Sequence, residues 1–159
     1  MITRRQSARM SFIAVGIAAA AVLAGCGTMD KSTSMAQPTN MVAMSTQMRA
    51  ANEVPVNAST GTGTVNAAFN KDTRLFRWKV TYSGLTGPVT AAHFHGPAGV
   101  GSNAGVALPW PALVNGAGEG SATLTPTQAG DLLAGLWYAN IHTAANPGGE
   151  IRGQMMMVK

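Results

Sequence analysis

Apolar and polar residues alternate with a period of two along most of the chain after about residue 40. In residues 76–82 the apolar positions are Phe76, Trp78, Val80 and Tyr82. Such alternation is typical of an antiparallel strand with one buried face. Further strand candidates, separated by turns rich in glycine and proline, are residues 41–52, 62–69, 88–95, 104–109, 118–125, 136–143 and 149–158. The pattern predicts an all-β fold, an antiparallel β-sandwich of about eight strands.

One segment carries the signals of a helix. They are a capping threonine, a proline in the first turn, a glutamine three residues after the cap and a closing glycine: Thr125, Pro126, Gln128 and Gly135. These residues form a capping box followed by a C-terminal stop. We expect a short helix near residues 126–134, with Leu132 and Leu133 covering an open end of the sandwich.

The segment 106–114 places Trp110 between two prolines. Proline is confined to the edges of sheets because it cannot donate a backbone hydrogen bond. We expect Trp110 to be exposed, as an edge residue or as an aromatic contact for a partner.

The first 25 residues have the features of an export signal. A basic start containing Arg4, Arg5 and Arg9 precedes an uncharged apolar run at 12–24, which is too short to span a bilayer as a helix. The run ends in Leu-Ala-Gly-Cys, which resembles the bacterial lipoprotein signal. We therefore expect residues 1–25 to be a lipoprotein signal peptide and Cys26, the only cysteine of the chain, to be the lipidation site.

Residues 26–39 are expected to be the lipidated cysteine and a flexible tether. They lack apolar periodicity and are rich in Ser, Thr, Gly and Pro. The predicted location is the bacterial cell envelope, anchored by lipid, on its periplasmic or surface face. Gly27 stands where aspartate retains some lipoproteins on the inner membrane, which favours the outer membrane.

The charge of the chain argues against a nucleic-acid partner. The whole chain has a net charge of +5, but the predicted signal peptide holds three arginines and no acid. Removing it leaves eight basic and six acidic residues, a net charge of +2. That is too small to steer the protein to nucleic acid. The expected partners are the membrane, through the lipid, and an envelope protein or polymer of unknown identity.

The three histidines of the chain fall in two short motifs. In a strand, residues i and i+2 share a face. His93 and His95 therefore point to one side, opposite to Phe94. In the next motif, Asn140 and His142 share a face in the same way.

The turn after His142 suggests which residues lie opposite these side chains. Pro147 and Gly148 suit the centre of a type II turn, which would join strands 136–143 and 149–158 as a hairpin. The symmetric register pairs His142 with Glu150, Asn140 with Arg152 and Tyr138 with Gln154. We predict one polar cluster, structural or binding, made of His93, His95, Asn140, His142, Glu150, Arg152 and Glu53.

Three stretches carry a resemblance to a known family. Residues 51–55 (ANEVP), 82–99 (YSGLTGPVTAAHFHGPAG) and 135–154 (GLWYANIHTAANPGGEIRGQ) resemble the CHRD domain family. The resemblance covers about residues 40–159. It implies an immunoglobulin-like antiparallel β-barrel or sandwich, distantly similar to copper/zinc superoxide dismutases, and it brings no established activity.

The residues and the resemblance together favour a non-enzymatic binding or structural module, not an enzyme. The sequence has no G-x-S-x-G motif, no serine nucleophile beside a histidine and no closely spaced pair of acids, so we expect no catalytic residues. A copper/zinc dismutase needs more histidines than the three in this chain.

Two interpretations of the polar cluster follow. In the expected one, neutral imidazoles form hydrogen bonds that join loop carbonyls, Glu53 or Glu150 to the sheet, and no cofactor is bound. In the alternative, His93, His95 and His142 bind one copper or zinc ion. An H-x-H motif on one strand with a third histidine on another suits such a site.

The predicted anchor is tested by the substitution Cys26→Ser. We expect the wild type to partition into the detergent phase and the variant into the aqueous phase, because a lipid chain would be lost. Unchanged membrane association of the variant would reject the anchor.

Overall fold

Nine strands and one helix lie within residues 40–159, the part of the chain that the computed structural model describes. The elements are β1 (Met41–Arg49), β2 (Thr62–Asn70), β3 (Leu75–Ser83), β4 (Val89–His95), β5 (Val106–Pro109), β6 (Ala117–Thr123), α1 (Pro126–Leu133), β7 (Tyr138–Thr143), β8 (Ile151–Gln154) and β9 (Met156–Met157). A short 3₁₀ turn, Ala50–Asn52, follows β1. The predicted signal peptide, Cys26 and the tether lie outside the described residues.

All strand pairs are antiparallel and form one sheet that curls on itself. Its order is β5-β4-β7-β8-β1-β2-β3-β6, and β9 also pairs with β1. Four strands separate β4 from β3, yet the rings of Phe94 and Phe76 lie 5.2 Å apart, edge to face. The two halves of the sheet therefore face each other across one core. This confirms the all-β, sandwich-like fold that the alternation predicts.

The core is built from the inward side of both halves. The largest fully buried side chains include an aromatic group to which both halves contribute: Phe69, Phe76, Phe94 and Trp137. Strand β3 buries Phe76, Trp78 and Val80 and exposes the residues between them, as its alternation predicts. Burying each such side chain stabilises the fold by about 1.5–3 kcal/mol.

Trp110 is buried, so the expectation of an exposed indole is wrong. The side chain is 9% exposed, and its ring lies 4.8 Å from that of Phe94. The Trp110 amide donates a hydrogen bond to the carbonyl of Ala92, 3.0 Å away, which holds the residue beside β4. The flanking prolines indicate an edge correctly, but the indole folds inward over the open side of the core.

The helix forms as its capping residues predict. Thr125 Oγ1 accepts from the amide of Gln128 at 3.2 Å, and Gln128 Oε1 accepts from the amide of Thr125 at 3.0 Å. Gly135 adopts a φ of 72° just after the helix. Leu132 is fully buried and closes part of the core. Within residues 40–159, no helix is both long enough and apolar enough to cross a membrane.

The β7–β8 hairpin has the predicted register up to its last pair. Asn140 lies opposite Arg152, and regular pairing ends at Ile141 opposite Ile151. In the symmetric register the next pair would be Glu150 and His142. The amide of Glu150 instead donates a hydrogen bond to the carbonyl of Ile141, 2.8 Å away. The predicted pairing of His142 with Glu150 is therefore wrong by one position.

The connecting turn explains this shift. Gly149 donates to the carbonyl of Asn146 at 3.1 Å, so Pro147 and Gly148 are the central residues, as expected. However, the positive φ, 128°, falls on Gly149, whereas a type II turn requires it at Gly148. The turn is not of type II, and the extra bend at Gly149 moves Glu150 out of the symmetric register.

The sheet leaves no room for a side chain at Gly153 of β8. A Cβ atom there would lie 2.5 Å from the carbonyl oxygen of Gln47, which is backbone and cannot turn away. We expect Gly153→Ala to lower the free energy of unfolding by about 1–3 kcal/mol, measured by chemical denaturation. The matched control is Gly148→Ala, where nothing lies within 4 Å of the added carbon. Equal losses in the two variants would contradict the argument.

Candidate functional site

The three histidines meet on the side of the sheet that faces away from the core. Strands β4 and β7 are neighbours, with His93 opposite Asn140 and His142 opposite Ala91. Because Phe94 points into the core, His93 and His95 point outward. The ring centroids lie 5.4 Å apart for His93–His95, 5.1 Å for His93–His142 and 5.8 Å for His95–His142. One nitrogen of each ring lies within 4.8 Å of the other two.

Two of the rings are oriented by backbone carbonyls. His95 Nδ1 lies 3.0 Å from the carbonyl oxygen of Ala104, and His142 Nδ1 lies 3.0 Å from that of Pro147. A carbonyl oxygen only accepts, so each Nδ1 must carry the proton and donate it. In the neutral ring the Nε2 atom then holds a free lone pair. Holding the distal proton in this way is how proteins orient a histidine that binds a metal.

Each of the three rings also has one buried nitrogen without a partner. His95 Nε2, His142 Nε2 and His93 Nδ1 are all buried and make no hydrogen bond within the described residues. Leaving one buried polar atom unpaired costs about 1–3 kcal/mol. Hydrogen bonding to loop carbonyls, as expected, therefore accounts for one nitrogen each of His95 and His142 and leaves three others unexplained.

The surroundings of His93 and His95 favour the neutral form of these two imidazoles. Burial, followed by repulsion from His142 and His95, lowers the pKa of His93. Burial also lowers the pKa of His95, and it outweighs the hydrogen bond to the carbonyl of Ala104. A neutral imidazole is the form that binds a metal ion.

A stack of three side chains supports His95. The ring of Tyr138 lies parallel to that of His95, with the centroids 4.9 Å apart and the planes inclined by 7°. The guanidinium carbon of Arg152 lies over the same tyrosine ring, 4.1 Å from its centre. The Tyr138 hydroxyl accepts from the amide of Ala104 at 3.2 Å, so the stack also fixes the loop whose carbonyl orients His95.

A buried network holds Arg152 in this stack. Arg152 is paired with Glu53 at 3.4 Å, and both side chains are almost fully buried. Asn140 donates to Glu53 at 2.5 Å, and Arg152 donates to the carbonyl of Ser102 at 3.1 Å and to the side chain of Asn103. Burial raises the pKa of Glu53, against the opposite effects of Arg152 and Asn140. The predicted members Glu53, Asn140 and Arg152 are thus together, and Asn140 lies opposite His93 in the sheet.

A cleft gives access to the cluster beside His93. It has a volume of about 300 Å³ and is lined by residues that include Thr90, His93, Trp110 and Leu113. His93 is partly exposed, and neither of its ring nitrogens has a hydrogen bond within the described residues. Its ring is therefore the least constrained of the three.

The profile of the CHRD domain matches residues 44–155, most of the described chain. The chain belongs to the CHRD domain family. No curated protein and no solved structure gives a match. The matched region contains the three histidines and the network of Arg152 and Glu53.

Glu150 lies in this CHRD domain apart from the histidines, contrary to its predicted place in their cluster. Its carboxylate accepts from Ser59 Oγ at 2.6 Å, from the Thr86 amide at 2.7 Å, from Thr86 Oγ1 at 2.9 Å and from Thr143 Oγ1 at 2.5 Å. The register shift at Gly149 turns the side chain toward these donors. Burial alone would raise its pKa, but the hydrogen bonds outweigh burial and lower the pKa of Glu150 to about 2.

Sequence reasoning did not include several residues that matter at this site. The sequence could have placed Tyr138 at the site, because the alternation of the strand puts it on the same face as Asn140 and His142. No sequence signal identifies Ala104 and Pro147 as the residues whose carbonyls orient the histidines, since every residue has a backbone carbonyl. The donors to Glu150 also lacked a local signal, because Ser59 and Thr86 are distant from it in sequence.

Glu150→Gln tests whether this carboxylate stabilises the CHRD domain. We expect a loss of about 1–3 kcal/mol at neutral pH, because an amide group would face hydroxyl and amide donors. The folded pKa of about 2 lies below the ordinary 4.5, so the contribution is complete above pH 4.5 and is lost as the pH falls toward 2. The difference between wild type and variant, measured by denaturation at several pH values, should shrink over that window.

The matched control is Glu119→Gln, an exposed glutamate whose only ion pair in the described residues, with Lys79, is 3.6 Å long and solvent-exposed. It should change stability by less than about 0.5 kcal/mol at any pH. A loss in Glu150→Gln that does not depend on pH would contradict the assigned role of the charge.

Proposed function

We propose that this CHRD domain binds a single copper or zinc ion through His93, His95 and His142. Two observations carry the proposal: one nitrogen of each of the three imidazoles lies within 4.8 Å of the other two, and each ring has one buried nitrogen without a hydrogen-bond partner in the described residues. A metal ion bound between them would pair with all three lone pairs at once. No other group of three or more potential ligands is found in the described residues.

The geometry requires only a small contraction to hold an ion. Nitrogens bound to one metal ion at about 2.0–2.1 Å lie roughly 3.3–3.6 Å from one another. The rings of this cluster need to approach by about 1 Å from their widest separation, which is within the reach of side-chain rotation. His93 can make this movement without breaking a hydrogen bond, while carbonyls keep His95 and His142 aimed at the centre.

The role that we propose is binding, not catalysis. The ligand nitrogens are buried, which favours holding an ion over presenting it to a substrate. The cleft beside His93 supplies a path by which the ion enters and leaves. A site of this kind needs both a closed interior and a path of entry.

We further propose that the domain holds this ion in the bacterial cell envelope. Support comes from the N-terminal sequence, in which a basic start and an apolar run lead to Cys26. A lipid at this cysteine and the following tether would keep the domain at a membrane surface while leaving the histidines accessible to ions in the aqueous phase.

The proposed metal site is tested by thermal unfolding with and without metal. We expect copper or zinc at about 100 times its dissociation constant to raise the melting temperature of the wild type by roughly 5–10 °C. His93→Ala should remove most of this rise, because it deletes a ligand whose ring makes no other hydrogen bond. Arg77→Ala, on the exposed face of β3, is the control that should keep the full rise.

Two results would count against the site. If copper and zinc leave the melting temperature of the wild type unchanged, the domain does not bind these ions. If His93→Ala and His142→Ala respond as the wild type does, the metal binds elsewhere on the chain.

A further inference from the structure

We propose that the three-histidine site selects monovalent copper, Cu(I), over divalent ions. The inference rests on the proposed function and narrows it from copper or zinc to one ion and one charge state. It is carried by the absence of negative charge from the site and by the number of ligands that the described residues provide.

The ligand set is electrically neutral. Both glutamates that the sequence placed in the polar cluster are already committed, Glu53 to Arg152 and Asn140, and Glu150 to hydroxyl and amide donors. No carboxylate or thiolate of the described residues joins the three imidazoles as a ligand. A bound ion would therefore keep its full formal charge inside a buried site.

The cost of that charge depends steeply on its size. The desolvation energy of an ion grows with the square of its charge, so a divalent ion costs about four times as much to bury as a monovalent ion of equal radius. Anionic protein ligands offset this cost in some sites, and in three-histidine zinc sites a bound water or hydroxide does so; no anionic ligand of the described residues joins these histidines. The neutral site thus penalises Zn²⁺ and Cu²⁺ far more than Cu(I).

The stack behind His95 strengthens this preference. The guanidinium of Arg152 lies against Tyr138, which lies against His95, and its positive charge acts on the His95 ring. Glu53 neutralises Arg152 but adds no net negative charge. The nearest ionic groups therefore do nothing to attract a second positive charge.

The number of ligands points in the same direction. Structural zinc sites have four protein ligands, and catalytic ones complete three with water. The hydroxyl of Tyr138, whose ring stacks on His95, is already bonded to the amide and carbonyl of Ala104. The three unpartnered nitrogens are buried, so a bound water would have to come from the cleft beside His93. Imidazole suits both copper and zinc, so the ligand type does not separate the two ions, but Cu(I) is satisfied by three ligands whereas zinc takes a fourth.

The test is a competition between ions on the purified full-length chain in detergent. Cu(I) is added without oxygen in the presence of a coloured Cu(I) chelator, and Zn²⁺ and Cu²⁺ are titrated separately. Ag(I) serves as a monovalent ion that does not change oxidation state. We expect one equivalent of Cu(I) or Ag(I) to bind at least about 100-fold more tightly than Zn²⁺.

The controls separate the histidines from other soft ligands. The chain has ten methionines, whose thioethers also bind Cu(I). His93→Ala keeps all of them and loses no hydrogen bond of the fold, so it should lose the tight equivalent and retain only the weak background. His142→Ala, checked for folding by circular dichroism, should behave in the same way.

Each outcome decides between the two proposals. Tight binding of Zn²⁺ or Cu²⁺, equal to or stronger than that of Cu(I) and removed by His93→Ala, overturns the selectivity and keeps the metal site. Binding of no ion, or binding that survives both histidine substitutions, overturns the proposed function together with this inference. Preference for Cu(I) and Ag(I) that depends on both histidines supports both.

Discussion

The packing of Phe94 against the opposite half of the sheet determines where the histidines point. Its ring meets Phe76, Trp78, Trp110 and Trp137, so β4 cannot rotate or slip without removing a large aromatic side chain from the core. In a strand, a buried residue forces both of its neighbours to the other face. His93 and His95 are those neighbours. The hydrophobic core thus sets the geometry of a polar cluster on the other face of the sheet.

The same constraint explains why much of the fold and part of the site follow from the sequence. Alternation along β3 and the capping residues of α1 are local signals, and both are strong enough to fix the face or the end of an element. The hairpin register of Asn140 and Arg152 was also predictable, because a short symmetric turn leaves few alternatives.

What the sequence could not show depends on contacts between distant residues or on one dihedral angle. The position of Glu150 follows from the φ of Gly149, and its donors include Ser59 and Thr86 from other parts of the chain. Trp110 is buried against Phe94 of β4 and Trp78 of β3, which come together only once the two halves of the sheet have met. The local alternation of apolar and polar residues does not show that the two halves of the sheet close on each other.

The loop between β4 and β5 is fixed at its ends and open at its tip. The carbonyl of Ala98 accepts from Gln154 at 2.9 Å, and that of Ser102 accepts from Arg152. Between these points, Val100 is largely exposed, and the glycines on either side have no atoms crowding them. Because hydrogen bonds hold the loop on both sides of the tip, we expect a change at the tip to leave the position of Ala104, whose carbonyl orients His95, unaltered. A peptide inserted at Val100, such as an epitope or a reporter, has room to extend into solvent while the imidazoles keep their arrangement, which makes this loop a natural point for attaching new sequence to the domain.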